Sequence, residues 1–149
     1  MYAPIHPPPI SKVVSCDASD TGWGAVMYNM STGGAWLPSE MALHINEKEM
    51  IAIFYALHSY TIDLTNLHVR VLTDNTTAVA VINNMGTTRS PACNAVAQRI
   101  WNHCKQHHIW ITCAHIPGAQ NVQSDYESRK VYRQAEWMLN REHYLTAIR

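Results

Sequence analysis

The chain has 149 residues, 47% of them hydrophobic and 15% charged, and its 11 basic and 11 acidic side chains cancel to a formal charge of zero. That is the length of one domain around one core, and the neutral balance argues against a strong non-specific grip on polyanions or on a membrane surface. The cysteines Cys16, Cys93, Cys104 and Cys113 form no CxxC pair, which points to reduced thiols and an intracellular setting, cytoplasmic or nuclear.

The first stretch, "MYAPIHPPPI", has no basic segment leading into an apolar core, so it does not read as a secretory signal. Its prolines fix φ and lack a donor, and residues 1–11 read as a lead-in. "KVVSCDAS", "GWGAVMYNM" and "GGAWLP" follow as three strands joined by turns at "SDTG" and "NMSTGG", an antiparallel meander. "INEKEMIAIFYALHSYTIDL" has no proline or glycine and is apolar almost all round, as expected of a helix covered on both sides. Its run "MIAIFYAL" is too short to span a bilayer.

"LHVRVLTD" is a strand ending at Asp74, and "NTTAVAVINNMG" a short helix with a glycine stop. "SPACNAVAQRIWNHCKQHHI" is a helix with Ser90 as N-cap and Pro91 at its first position. "WITCAHIP" is the fifth strand, and "NVQSDYESRK" a closing helix begun by Asn121. The order β-β-β-α-β-α-α-β-α implies an α/β fold with a five-stranded mixed sheet. Three strands pair antiparallel, and two arrive through helical crossovers that favour parallel pairing. Ligands gather at strand ends where such a sheet changes its winding direction, and Asp17 and Asp74 could meet there.

Taken singly, these acids have ordinary readings: Asp17 as an exposed strand residue, Asp74 as a helix N-cap, Asp125 as a surface acid. Asp20 fits a turn. Asn75, Thr76 and Thr77 open a helix and could present an amide, hydroxyls and backbone donors to a phosphate, or simply cap the helix. Trp23 and Trp36 fit packing. "HCKQHH" at 103–108 has no matching Cys/His pair elsewhere, and a solvated helix end is preferred there to a zinc site.

Four blocks in order, "CDASDTGWGA", "HINEKEMIAI", "VLTDNTTAVAVIN" and "HIPGAQNVQSDYESR", resemble the ribonuclease H domain of retroelement polyproteins, closest to that of DIRS-like retrotransposons with a tyrosine recombinase. The resemblance implies a ribonuclease H-like domain over 12–130, with 131–149 the start of a segment leading to the rest of a polyprotein. It implies Asp17, Glu49, Asp74 and Asp125 as catalytic acids holding two Mg²⁺ ions, for which Mn²⁺ would substitute. Such ions sit about 3.5–4 Å apart, activate a water and stabilise the leaving oxygen. Glu47 and Glu49 cannot both face that site, because residues two apart on a helix diverge. Glu49 is chosen because "EMIAI" resembles the family's Glu-Leu-x-Ala-Ile.

The implied activity is cleavage of the RNA strand of an RNA–DNA hybrid, leaving 3′-hydroxyl and 5′-phosphate ends. The hybrid and a reverse transcriptase domain of the same polyprotein are the implied partners, with no membrane. Ala18, Ser19, Asn75, Thr76, Thr77, Asn121 and Arg129 are the candidate substrate contacts. His115 is the one histidine near the loop "PGAQNVQS", where many relatives carry a mobile one. The stretch after Gly86 holds only Arg89, so a basic protrusion is not expected, and neither is tight hybrid binding by this chain alone. A catalytically silent binding domain is the alternative. A 3′–5′ exonuclease would want Asp-x-Glu where Ser19 follows Asp17, and a transposase core would end in Glu rather than Asp125.

Overall fold

The structure, a computed structural model, describes residues 7–84 and 90–129. The expectations for Gly86 to Arg89, for Lys130 and for 131–149 fall outside those residues. Three strands open the fold: β1 (Lys12–Ala18), β2 (Gly22–Met27) and β3 (Met30–Ala35). A one-turn helix α1 (Pro38–Met41) and the long helix α2 (Ile45–Thr61) precede β4 (His68–Thr73). Then come α3 (Thr76–Asn83), α4 (Pro91–His107), β5 (Trp110–His115) and a 3₁₀ turn at Gly118–Gln120. Residues 122–129 form a last helix, α5.

The sheet order is β3-β2-β1-β4-β5. The first three strands pair antiparallel, and β4 and β5 join parallel, as the crossover argument requires. Ser15 is level with Leu72 in the β1–β4 register, which brings Asp17 level with Asp74 two residues further on.

The meander differs from the sequence reading in one place. The turn is Tyr28–Asn29, with Tyr28 at φ 55°, and β3 starts at Met30 rather than at Gly33. Gly33 and Gly34 are strand residues, not turn residues. A Cβ on Gly34 would lie 2.7 Å from Trp23 Nε1, so glycine is there to admit the indole. The following "WLP" leaves the strand, and Pro38 opens α1, whose Glu40 accepts from Leu37 N at 2.8 Å and from the Tyr55 hydroxyl at 2.6 Å. Sequence reading missed α1, a single turn of chain with no periodicity to detect, whereas the 3₁₀ turn falls at "PGAQ", where a turn was expected.

α2 packs on β1 and β2 and against α4, so it is covered on both sides. Met50, Ile53 and Leu57 on α2 are fully buried, each contributing roughly 1.5–3 kcal/mol of apolar transfer. Ser90 caps α4 by accepting from Cys93 N, with Pro91 next. Pro8 and Ser11 in the lead-in contact β4: His68 Nδ1 donates to the Pro8 carbonyl at 2.8 Å, and Ser11 N donates to the His68 carbonyl. All four cysteines are buried free thiols.

The end of α4 departs from the solvated reading. His103 and Cys104 are buried, at 7% and 0% exposure. The amphipathic face of α4 continues through them, and the chain leaves the helix only at His108, in the left-handed conformation.

Candidate active site

Asp17 sits one residue before the end of β1, and its cross-strand partner on β2 is Gly24. Partners in an antiparallel pair share a face, and α5 lies on that face. A Cβ on Gly24 would come within 2.4 Å of Ser124 O and 2.5 Å of Ser128 N, and one on Gly22 within 2.9 Å of Ser128 O. The two glycines let the backbone of α5 rest directly on the strand, and this delivers Asp125 to Asp17. Asp125 lies close enough to Asp17 to help hold its carboxyl protonated, outside the three acids whose oxygens converge.

Glu49 enters from the first turns of α2. Its Oε1 accepts from Ala18 N at 3.2 Å, and its Oε2 from Thr73 Oγ1 at 3.4 Å. Asp74, just beyond β4, completes the set. One carboxylate oxygen from each of Asp17, Glu49 and Asp74 lies within 4.8 Å of the others. Asp17 and Glu49 are buried, at 5% and 4% exposure, and Asp74 is the least covered. A Cβ on Gly118 would touch Asp74 Oδ2 at 3.1 Å, so the turn after β5 passes close over this acid.

Like charges gathered in a partly dry site hold their protons. Asp17 is pushed up to about 8 by burial, then by the neighbouring carboxyls of Asp125 and Asp74. Glu49 is pushed up to about 8 by burial and the charges of Asp17 and Asp74. Among the described residues the only ion pair is Arg129 with Asp125, at 3.1 Å. Lys48, next to Glu49, is turned instead to the Asp20 carbonyl at 3.3 Å. Clustered oxygen donors with so little positive charge beside them fit a hard divalent cation, and Asp17, Glu49, Asp74 and Asp125 are the residues that would hold it.

The structure brings Glu49 into this cluster and leaves Glu47 lining a separate cleft with His44, Asn46 and Thr77. Of the candidate substrate contacts, Ala18 offers its backbone N–H to Glu49, and Ser19 is buried with its hydroxyl bonded within the β1–β2 turn. Asn75 is the N-cap of α3, accepting from Ala78 N, and its amide donates to Asn46 Oδ1 at 2.9 Å. Thr76 is exposed and Thr77 half-buried. Asn121 is buried and donates to the Cys16 carbonyl at 2.9 Å, while Arg129 pairs with Asp125. His115 is exposed at the end of β5, level with Thr73. Trp23 and Trp36 are both buried, and Trp36 Nε1 donates to the Ser19 carbonyl. Asp20 lies in the β1–β2 turn.

Sequence reasoning missed Thr73, Gly24 and Gly118 as parts of the site. The signal for Gly24 was the pair of glycines inside a strand, which marks close backbone approach. Thr73 gave none.

Residues 10–101 match the RNase H-like domain found in reverse transcriptase, a span holding Asp17, Glu49 and Asp74. The chain belongs to that family. This RNase H-like domain is 28% identical over 147 residues to the enzymatic polyprotein of Cauliflower mosaic virus (strain D/H), across 89% of the chain and 21% of the polyprotein. The chain thus spans about a fifth of the length of the curated relatives it matches. In fold, the RNase H-like domain is similar to LC11-RNase H1, solved in complex with an RNA/DNA hybrid, with a TM-score of 0.70 over 84% of this chain and 99% of that one at 16% identity. RNase H1 from the halophilic archaeon Halobacterium salinarum NRC-1 gives a TM-score of 0.65 over 83% and 98%, also at 16% identity.

Proposed function

We propose that this RNase H-like domain is a metal-dependent endoribonuclease that cuts the RNA strand of RNA–DNA hybrids during reverse transcription, leaving 3′-hydroxyl and 5′-phosphate ends. The observation that carries this reading is the meeting of Asp17, Glu49 and Asp74 within 4.8 Å, with Asp125 beside Asp17. Two bound Mg²⁺ ions, or Mn²⁺ in their place, supply activation of the attacking water and stabilisation of the leaving oxygen.

In this reading the chain's own residues divide the work. Asp17, central to the cluster, would contribute its carboxylate to holding the cations. Glu49 is held by Ala18 N and Thr73 Oγ1, so one of its oxygens on each side is already oriented. Asp125 reaches the cluster from a helix end that is open to solvent, with 44% of its side chain exposed, and Arg129 neutralises it there. Discrimination for RNA falls to contacts with the 2′-hydroxyls, for which the exposed Thr76 is the candidate.

The domain limits 12–130 and a place in a polyprotein with a reverse transcriptase belong to the same proposal, as does an intracellular setting. The kinship with DIRS-like elements rests on the four sequence blocks. It expects a tyrosine recombinase frame in the same element, and an element without one would contradict it. The test of function is a strand-labelled hybrid beside double-stranded RNA, double-stranded DNA and single strands, with Mg²⁺ or Mn²⁺. Cleavage confined to the RNA of the hybrid and abolished by EDTA is expected. Comparable cutting of duplex DNA would overturn the substrate assignment, and binding without cleavage would favour the silent domain.

A further inference from the structure

Three histidines meet at the seam between α2 and α4. His103 and His107 stand one turn apart on α4 with ring centroids 4.4 Å apart, and His58 of α2 brings its ring to 5.5 Å from that of His103. Together with Phe54, Arg99, Asn102 and Gln106 they line a cavity of about 290 Å³. His58 lies nine residues beyond Glu49 on α2, roughly 13 Å along the helix, so this cluster is separate from the acids.

Hydrogen bonds set the tautomers. Thr61 Oγ1 donates to the Leu57 carbonyl at 2.6 Å, so towards His103 Nε2, 2.8 Å away, it can only accept. The proton of His103 is therefore on Nε2, and the Nδ1 lone pair is left open. His107 Nδ1 lies 3.1 Å from the Leu64 carbonyl, which accepts, so in the neutral ring the open lone pair is on Nε2. An outer N–H anchored on a hydroxyl or carbonyl is the arrangement that orients metal-binding histidines.

Rings bound to one zinc ion at about 2.0–2.1 Å place their centroids about 5 Å apart, and the separations here, 4.4 and 5.5 Å, fall on either side of that value. Arg99, on the wall of the same cavity, holds its guanidinium over the Phe54 ring at 4.4 Å. Among the described residues, the acids are the only three ligands whose donor atoms already lie within 4.8 Å. The rings must therefore turn to bring three nitrogens onto one ion, and the exposed His58 has the room to do so.

We propose that His58, His103 and His107 form a binding site for a transition cation of the Zn²⁺ class that clamps α2 to α4. Imidazole favours zinc, nickel and copper, whereas Mg²⁺ favours the carboxylate cluster, so the two sites sort their ions by chemistry. Binding to the fold but not to the unfolded chain raises apparent stability as the free ion exceeds its dissociation constant.

The test is calorimetric titration of the 149-residue chain with Zn²⁺ in excess Mg²⁺, paired with thermal unfolding, for wild type, His58→Gln, His107→Gln and Asp17→Asn. Wild type and Asp17→Asn should each bind one Zn²⁺ at this site and melt higher with it. His58→Gln and His107→Gln should each lose about tenfold or more in that affinity, together with the thermal shift. His58→Gln alters an exposed side chain, so its result reads binding and not folding. Retention of the Zn²⁺ affinity in either histidine variant, or no Zn²⁺ binding in excess Mg²⁺, overturns the proposal.

Discussion

Asn121 donates its side-chain amide to the carbonyl of Cys16 at 2.9 Å, so the residue that begins α5 grips β1 at the position immediately before Asp17. The carbonyl of Asn121 also accepts from Asp125 N at 3.1 Å. One buried side chain thereby ties together the two stretches of backbone that carry Asp17 and Asp125.

Replacing Asn121 with Ala leaves the buried Cys16 carbonyl without this donor, at a cost of about 1–3 kcal/mol. The larger effect is expected on the site. The Mg²⁺ concentration for half-maximal cleavage should rise while KM for the hybrid changes little. Denaturant melts and Mg²⁺ titrations of activity check this, and an unchanged Mg²⁺ requirement would mean that Asp125 is placed by other contacts.

Gly24→Ala puts a methyl group against the backbone of α5, 2.4 Å from Ser124 O and 2.5 Å from Ser128 N. No rotamer relieves a clash with backbone, so α5 must lift. Because a displacement on the order of 1 Å at a reacting centre costs roughly a hundredfold, cleavage should fall by about that much while circular dichroism shows the sheet retained. Full activity in this variant would show that the seat of α5 on β2 does not position Asp125.

Metal-free stability should fall as pH rises, the reverse of an ordinary salt-bridged carboxylate. Unfolded, Asp17 and Glu49 lose their protons near about pH 4; folded, they hold them to about 8, chiefly through burial. The folded state therefore binds more protons across that window, and acidification from about 8 towards about 5 stabilises it. Urea melts in EDTA at several pH values check the slope. Asp17→Asn should be as stable as wild type or more so near pH 8 and show a flatter dependence. Mg²⁺ affinity should rise over the same window, since the ion displaces those protons.

Much of this was legible in the chain, and the reasons differ by residue. Asp17 and Asp74 end strands whose alternation and β-branched content announce them, and parallel pairing then forces the two acids together. Ser90–Pro91 marks a helix start through local capping chemistry, whereas Asn121, at the start of α5, turns its amide to Cys16 instead. The choice between Glu47 and Glu49 was not legible from periodicity, because Lys48, Glu49, Met50 and Ile51 are all buried in a helix packed on both sides. Gly33–Gly34 were read as a turn because glycine's signal is the same for a turn and for close packing, and only the Trp23 indole distinguishes them. The burial of His103 depends on Thr61, 42 residues away, a contact that no local pattern encodes.

Paired substitutions separate the two glutamates. Glu47→Gln should leave cleavage near wild type, since Glu47 lies outside the acidic cluster, whereas Glu49→Gln should abolish it. The reverse order, measured as single-turnover rates in Mg²⁺, would show that the helix contributes its other acid.

The central claim, that these four carboxylates are a metal-dependent hydrolytic centre, is tested most directly by cleavage of a strand-labelled RNA–DNA hybrid, wild type against Asp17→Asn, with the RNA ends mapped. The account predicts RNA cut internally by wild type with 3′-hydroxyl and 5′-phosphate ends, no product in EDTA, and loss of activity in a folded Asp17→Asn chain. Cleavage by Asp17→Asn at a rate near wild type, or product that persists in EDTA, would contradict it.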